Sequence, residues 1–344
     1  MWGRGEFFGT ISERTQGKVS RKAEVIVRVG VSLFILLLLL YYIRVGKVLQ
    51  LLLSVRLKWF LILLVLITVD RVFMAYKWSL LLRVKCVKYT IAEVIELYYV
   101  GTFVGIFLPT TVGGDVIRGY GLVRGGRKAK DVFSSIVVER VLGFFASLVV
   151  AVVSMVLFIY MFKPRSLNFV YIVVGIFIVF MVVVVLSFNS EILAKITKFF
   201  PKRIFQWKIA GKLKEVYFSY LEYKKHGTIL VKFFLLSLVE QMAPILGNYI
   251  SARAFGVSVP FVVFLSIIPL IQLVNRIPIS FNGIGLNEGL LVYFFSSLGL
   301  SSTLAFSIGL LGHIGIVLAT IPGLCFYVLG GTNRKKTTLL HGGR

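Results

Sequence analysis

The feature that most constrains this chain is a succession of segments too long and too apolar to be anything but membrane-crossing helices. Asn168–Phe188 holds no Asp, Glu, Lys or Arg at all. A helix rising about 1.5 Å per residue crosses a hydrocarbon core of about 30 Å with roughly 20 such residues. Val25–Ile43, Trp59–Leu82, Val132–Phe162, Ile229–Arg253 and Thr303–Leu329 are also long and predominantly apolar, most with one to three charges inside. The expectation is an all-α polytopic membrane helix bundle of about six full spans. The chain as a whole is 58% hydrophobic, against roughly 45–50% in globular domains.

The formal net charge of +25 would point to nucleic acid in a soluble protein. Here the Lys and Arg lie between the apolar runs. Positive-inside orientation and anionic lipid head groups account for them there, so no nucleic-acid partner is expected. Residues 1–24 read as a basic cytoplasmic N-terminus, and Val25–Ile43 as a retained first helix rather than a signal peptide, since it has no small-residue cleavage pattern. The membrane domain runs over 25–330, and 331–344 form a cytoplasmic tail. Residues 189–228 are strongly basic. Two readings of them stand side by side, surface helices facing anionic lipid and a solvated linker. Cys86 and Cys325 are far apart, and His226, His313 and His341 do not cluster, so neither a metal nor a cofactor is expected. The cysteines read as apolar fillers, and His313, in IGLLGHIGIV, as a helix-to-helix hydrogen-bonding group.

Two interruptions break the apolar pattern, GIFLPTTVGGDVIRGYG at Gly105–Gly121 and NRIPISFNGIGLNEG at Asn275–Gly289. Non-helical or polar backbone inside a membrane is tolerated only where protein covers it or where it lines a cavity. In the first, Pro109 ends the preceding helix. Gly113 and Gly114 permit positive φ and close backbone approach. Asp115 stands where a helix N-cap would, and Arg118, one turn on, is placed to pair with it. The same parts support two readings. One is a rigid, capped bend. The other is an anion site in which helix N–H groups and Arg118 meet a phosphate.

Glu139 and Arg140 lie just inside the next span. Each costs about 2.5–3.5 kcal/mol at mid-bilayer on insertion scales, so pairing is expected, Glu139 with Arg118 or Arg140 with Asp115. Such a network is equally compatible with a purely architectural role. Glu240 has no basic residue within a turn. It needs a distant partner such as Arg276, or it is protonated. Asp70 and Arg71 are adjacent and point to different sides of their helix, so each is expected to need its own partner, while Lys77 beside Trp78 reads as an interface marker. In the second interruption Pro278 stops a helix, Gly283 and Gly285 allow a reversal, and Asn287 or Glu288 starts the returning helix with favourable dipole alignment.

Coarsely, the order span, span, broken segment, span occurs twice, over 25–162 and 168–329. If each broken segment re-enters without crossing, the halves are inverted, and paired interruptions of this kind point to a site near mid-membrane. Basic loops at 189–228 and after the last span then fall inside with both termini. Residues 44–58, with Arg44, Lys47, Arg56 and Lys58, run against that charge rule.

LPTTVGGDVIRGYGLVRG followed by SSIVVERVLGF, with IPISFNGIGLNEG and the weaker KWSLLLR at 77–83, resembles the lysylphosphatidylglycerol synthase transmembrane region, a flippase-like family of integral membrane proteins. The likeness covers about 25–330 and departs at Phe281-Asn282, where the family pattern often has small residues. The resemblance implies a multi-helix module that handles lipid; in the synthases it moves an aminoacylated phospholipid between leaflets. The positions it carries over are Pro109, Gly113, Gly114, Asp115, Arg118, Glu139, Arg140, Pro278, Gly283, Gly285 and Glu288. The aminoacyl-transferring domain of the synthases, and the glycosyltransferase domain fused to some relatives, are expected to be absent from this chain.

The leading expectation is a protein of the cell membrane that translocates or binds an anionic phospholipid or a polyprenyl-phosphate lipid. Gly113, Gly114, Asp115, Arg118, Glu139, Arg140, Glu240, Arg276 and Glu288 would form the head-group site. Two alternatives are a membrane-embedded transferase using a lipid-phosphate donor, with Asp115 or Glu240 as base, and a non-catalytic anchor for a cytoplasmic lipid-modifying enzyme.

Overall fold

A computed structural model describes residues 45–108, 112–163, 208–276, 280 and 283–328, with a few positions between 171 and 182. Val25–Ile43, most of Asn168–Phe188, Pro109, Pro278, both terminal segments and residues 189–207 lie outside the described residues. Among those described, every regular element is helical.

A short helix α1 (Val45–Leu53) leads into α2 (Leu57–Val84). Then come α3 (Ile91–Ile106), α4 (Gly113–Arg124) and α5 (Ala129–Phe162). After α6 (Lys208–Glu222) the order continues with α7 (Gly227–Glu240), α8 (Met242–Ala254), α9 (Phe261–Asn275), α10 (Leu286–Ser296) and α11 (Ser302–Ala319). The last span continues past Thr320 to Val328. Among the described residues, four stretches are long and apolar enough to cross a membrane: α2, α5, α7–α8 and α11 with its extension. They coincide with four of the six expected spans, and the other two fall outside the described residues.

The spans bury polarity and expose apolar surface. On α2, Leu61, Val65 and Val69 form an exposed stripe, while Asp70, Lys77 and Ser79 are buried. An apolar outer face at helical spacing is the surface of a helix whose solvent is lipid. The interruption between α7 and α8 at Gln241 also has a cause. Pro244 lacks an N–H, and its ring crowds the carbonyl of residue 240, so the helix opens there and turns Glu240 and Gln241 toward the interior.

Both broken segments are antiparallel helical hairpins. In the first, Gly101 of α3 abuts Gly114 of α4, and Leu97 abuts Gly121. In the second, Asn275 meets Asn287 and Phe264 meets Phe295. At about 1.5 Å per residue, α3, α4, α9 and α10 reach only about 16–24 Å, short of a hydrocarbon core of about 30 Å. None of the four reaches a membrane-crossing length, which matches the re-entrant expectation.

The halves repeat. α2, α3, α4 and α5 correspond in order to α7–α8, α9, α10 and α11, with start points offset by roughly 170 residues. α2 and α7–α8 hold equivalent places and run antiparallel. The Arg56 N–H donates to the Ala254 carbonyl at one end (2.9 Å), Leu63 packs with Ile250 in the middle, and Lys77 meets Glu240 toward the other end. The halves are therefore inverted, and the hairpins that follow α2 and α8 enter from opposite faces. Outside the bundle proper, α6 is tied to α5 by Ser219, which bonds Ser134 and Asp131, and Lys85 pairs with Glu222 at 2.6 Å. Lys85 holds the Glu222 carboxyl below its usual value. Cys86 and Cys325 are both exposed, so neither fills the core.

Candidate functional site

The first hairpin is locked to α5 by four charges. Arg118 donates to Asp115 Oδ1 through Nε (3.1 Å) and Nη2 (2.8 Å), and to Glu139 Oε2 at 2.7 Å. Asp115 Oδ2 accepts from Arg140. Both alternative pairings expected from the sequence thus occur together. The Arg118 guanidinium is also held by rings, 4.3 Å from the Trp78 centroid and 4.7 Å from that of Tyr98. Trp78 is itself fixed by donating Nε1–H to Ser135 at 3.0 Å. Arg118 is 3% exposed, and its Nη1 has no protein partner.

Two local expectations change. Gly113 and Gly114 lie within helix α4 and neither has positive φ. What Gly114 provides is close approach to α3, because a Cβ on Gly101 would stand 2.6 Å from the Gly114 carbonyl oxygen. Asp115 is not the N-cap. Val112 holds that position without a side-chain bond, and the Asp115 carboxylate is committed to two arginines, which in a low-dielectric interior hold it more strongly than a backbone N–H would.

The second half carries the counterpart. Gly283 and Gly285 adopt φ of 78° and 82°, as a reversal requires. Glu288 is 2% exposed and accepts the Gly285 N–H at 2.7 Å. His313 of α11 places Nε2 at 2.8 Å from Glu288 Oε1, an ion-pair distance without hydrogen-bond alignment. The contact does join two helices, but as an ion pair in place of the hydrogen bond expected of His313. In the repeat, Glu288 corresponds to Asp115 and His313 to Arg140, so each hairpin's returning helix is tied by an acid to a base on the following span.

Glu240 does not pair with Arg276. Its partner is Lys77 of α2, 2% exposed and lying 4.7 Å above the Phe233 ring. Lys77 therefore belongs to the interior rather than the interface. Asp70, the repeat counterpart of Glu240, pairs with its neighbour Arg71 at 2.5 Å, against the expectation of separate partners, because the long Arg71 side chain bends back to it.

Against the second hairpin, walled also by α2, α5, α7–α8 and α11, lies a cavity of about 610 Å³, within the range that holds drug-sized ligands, about 300–1,000 Å³. Arg71, Arg140 and Arg276, from α2, α5 and the end of α9, are on its wall. Facing them are the carboxamides of Gln241, Asn248, Gln272, Asn275 and Asn287. A second cavity of about 340 Å³ lies against the first hairpin, and the two share Arg71, Arg140, His313 and Ile316. Arg71 and Arg140 have carboxylate partners. Arg276 has none at ion-pair distance among the described residues and lies 5.6 Å from the Phe144 centroid.

Of the residues singled out from sequence, Arg140, Glu240, Arg276 and Gly283 line the larger cavity, and Gly114, Asp115, Arg118 and Arg140 the smaller. Gly113, Glu139, Gly285 and Glu288 are on neither wall. Glu139 and Glu288 instead hold Arg118 and His313, which are. Arg71, His313 and the carboxamides were not among the expected site residues. The repeat register, which aligns His313 with Arg140, is the signal that finds one of them.

A family model described as the lysylphosphatidylglycerol synthase TM region matches residues 25–323. No curated protein and no solved structure matches the chain.

Proposed function

Since the chain belongs to the lysylphosphatidylglycerol synthase TM region family and is an integral membrane protein, we propose that it takes the anionic head group of a phospholipid or polyprenyl-phosphate lipid into the cavity against its second hairpin and passes it between leaflets of the cell membrane, with both termini cytoplasmic. The observation that carries this reading is Arg276, a cation on the wall of an intramembrane cavity with no carboxylate partner among the described residues. An uncompensated charge in the membrane costs about 2.5–3.5 kcal/mol or more, and a lipid phosphate supplies the counter-charge through charge-assisted hydrogen bonds.

Arg71 and Arg140 share that wall. Each is already paired, so each can lend a donor to a phosphate without being left bare when the cavity is empty. Arg118 and the first turn of α4, at Gly113–Gly114, act on the smaller-cavity side, where Arg118 Nη1 is unpaired. The carboxamides, which donate and accept, suit hydroxyls or ester oxygens of the head group. Opposed hairpins with joined cavities fit a path that opens alternately to the two faces.

Lipids co-purifying with the protein, identified by mass spectrometry, test the reading. Wild type is expected to retain phosphate-bearing anionic lipid above its membrane abundance, and Arg276→Gln to lose most of that enrichment. Equal, abundance-matched lipid in both proteins would refute it.

A further inference from the structure

The inverted repeat aligns two hairpin-to-span pairs that differ in one respect. Asp115 meets Arg140, whereas Glu288 meets His313. A guanidinium does not lose its proton in a protein, while an imidazole exchanges one near neutrality. We propose that Glu288 and His313 form a proton-binding site, and that its occupancy decides whether the second hairpin stays latched to α11 while the first remains permanently latched to α5.

The placement suits the role. Glu288 is held from behind by the Gly285 N–H at 2.7 Å, so its charge is fixed in direction. The His313 side chain is 30% exposed, and His313 lines both cavities, at their junction. Nε2 is buried against Glu288, so the ring exchanges its proton with solution on its cavity-facing side. The charged groups that share these walls with it are Asp70 and Arg71 of α2, Arg140 of α5, Glu240 of α7, Arg276 at the end of α9, and Asp115 and Arg118 of α4. Glu288 of α10 is the acid in direct contact.

The sign follows from the pair. At low pH the imidazolium neutralises Glu288 and draws α10 onto α11. As pH rises the ring becomes neutral, and a carboxylate that is 2% exposed loses its counter-charge and keeps only neutral donors, the Gly285 N–H among them. Leaving a buried charge without its partner is strongly destabilising, so the returning helix moves to hydrate Glu288 and the hairpin opens. A phosphate entering the cavity that His313 lines favours the imidazolium. Binding of head group and uptake of proton are thereby linked, a consequence that rests on the head-group reading.

The test is a distance measurement by electron paramagnetic resonance. Spin labels go on α10 and α11, at Tyr293→Cys and Leu318→Cys, both exposed positions, with Cys86 and Cys325 replaced by serine. Between about pH 5 and about pH 8, a range that spans histidine titration, the parent protein is expected to gain a longer, reversible distance population. His313→Arg, which copies the first half, is expected to keep the short distance throughout. His313→Gln is expected to show the long population at both pH values, and this second variant serves if the arginine is not accommodated. A distance indifferent to pH in the parent, or a pH shift that survives in His313→Gln, overturns the proposal. Leaflet exchange measured on the same samples separates the two claims: a pH-dependent latch without exchange refutes transport and leaves the latch standing.

Discussion

Arg118 has rings on its guanidinium and two carboxylates at its edge, so shortening it removes the counter-charge of Glu139 and leaves Asp115 with Arg140 alone. Breaking a buried pair in this way costs about 3–5 kcal/mol, and Arg118→Ala is expected to lower the thermal unfolding midpoint in detergent markedly. Arg276→Gln, on a cavity wall with no acid to strand, is expected to leave that midpoint almost unchanged. Equal effects would mean that the division between holding and binding arginines is wrong. Lys77 and Glu240 give a second check. Lys77→Met alone and Glu240→Gln alone should each destabilise strongly, while the double variant recovers most of the loss, because it leaves no unpaired buried charge. At this scale the sequence was informative about which charges needed partners and poor at naming them. Asp115, Arg118, Glu139 and Arg140 are close enough in the chain for their pairings to be read directly. Lys77 and Glu240 are 163 residues apart, and no local pattern joins them.

The hairpins were legible as interruptions, since proline, paired glycines and charge cannot simply continue a lipid-facing helix. Their internal packing was not. Whether Gly114 serves an unusual dihedral or a close contact depends on where α3 lies, which is a tertiary fact. Gly114→Ala is therefore expected to force α3 and α4 apart at an overpacking cost of about 1–3 kcal/mol. Gly143→Ala is the control, because a Cβ there meets nothing within 4 Å. It should be neutral, or stabilising by up to about 1 kcal/mol as in any open helix position. Comparable losses at both glycines, measured by thermal unfolding, would mean that close approach is not what Gly114 provides.

For the molecule as a whole, the inverted arrangement fixes which loops share a face. Cys86, after α2, and a cysteine at Lys128, after α4, should react with a membrane-impermeant thiol reagent from one side. Ser258→Cys, after α8, should react only from the other. Labelling of all three from one side would break the inversion. The twofold order of spans and breaks was visible in the sequence, but the inversion rested there on assumed re-entry. The antiparallel course of α2 and α7–α8 and the shortness of the hairpin helices now support it.

Passage of an anionic head group through the joined cavities is tested most directly by leaflet exchange of labelled anionic lipid in proteoliposomes. Exchange should be well above that of protein-free vesicles, and Arg276→Gln should reduce it about tenfold or more, the scale of one charge-assisted hydrogen bond. Wild type matching protein-free vesicles, or Arg276→Gln exchanging as fast as wild type, would contradict it.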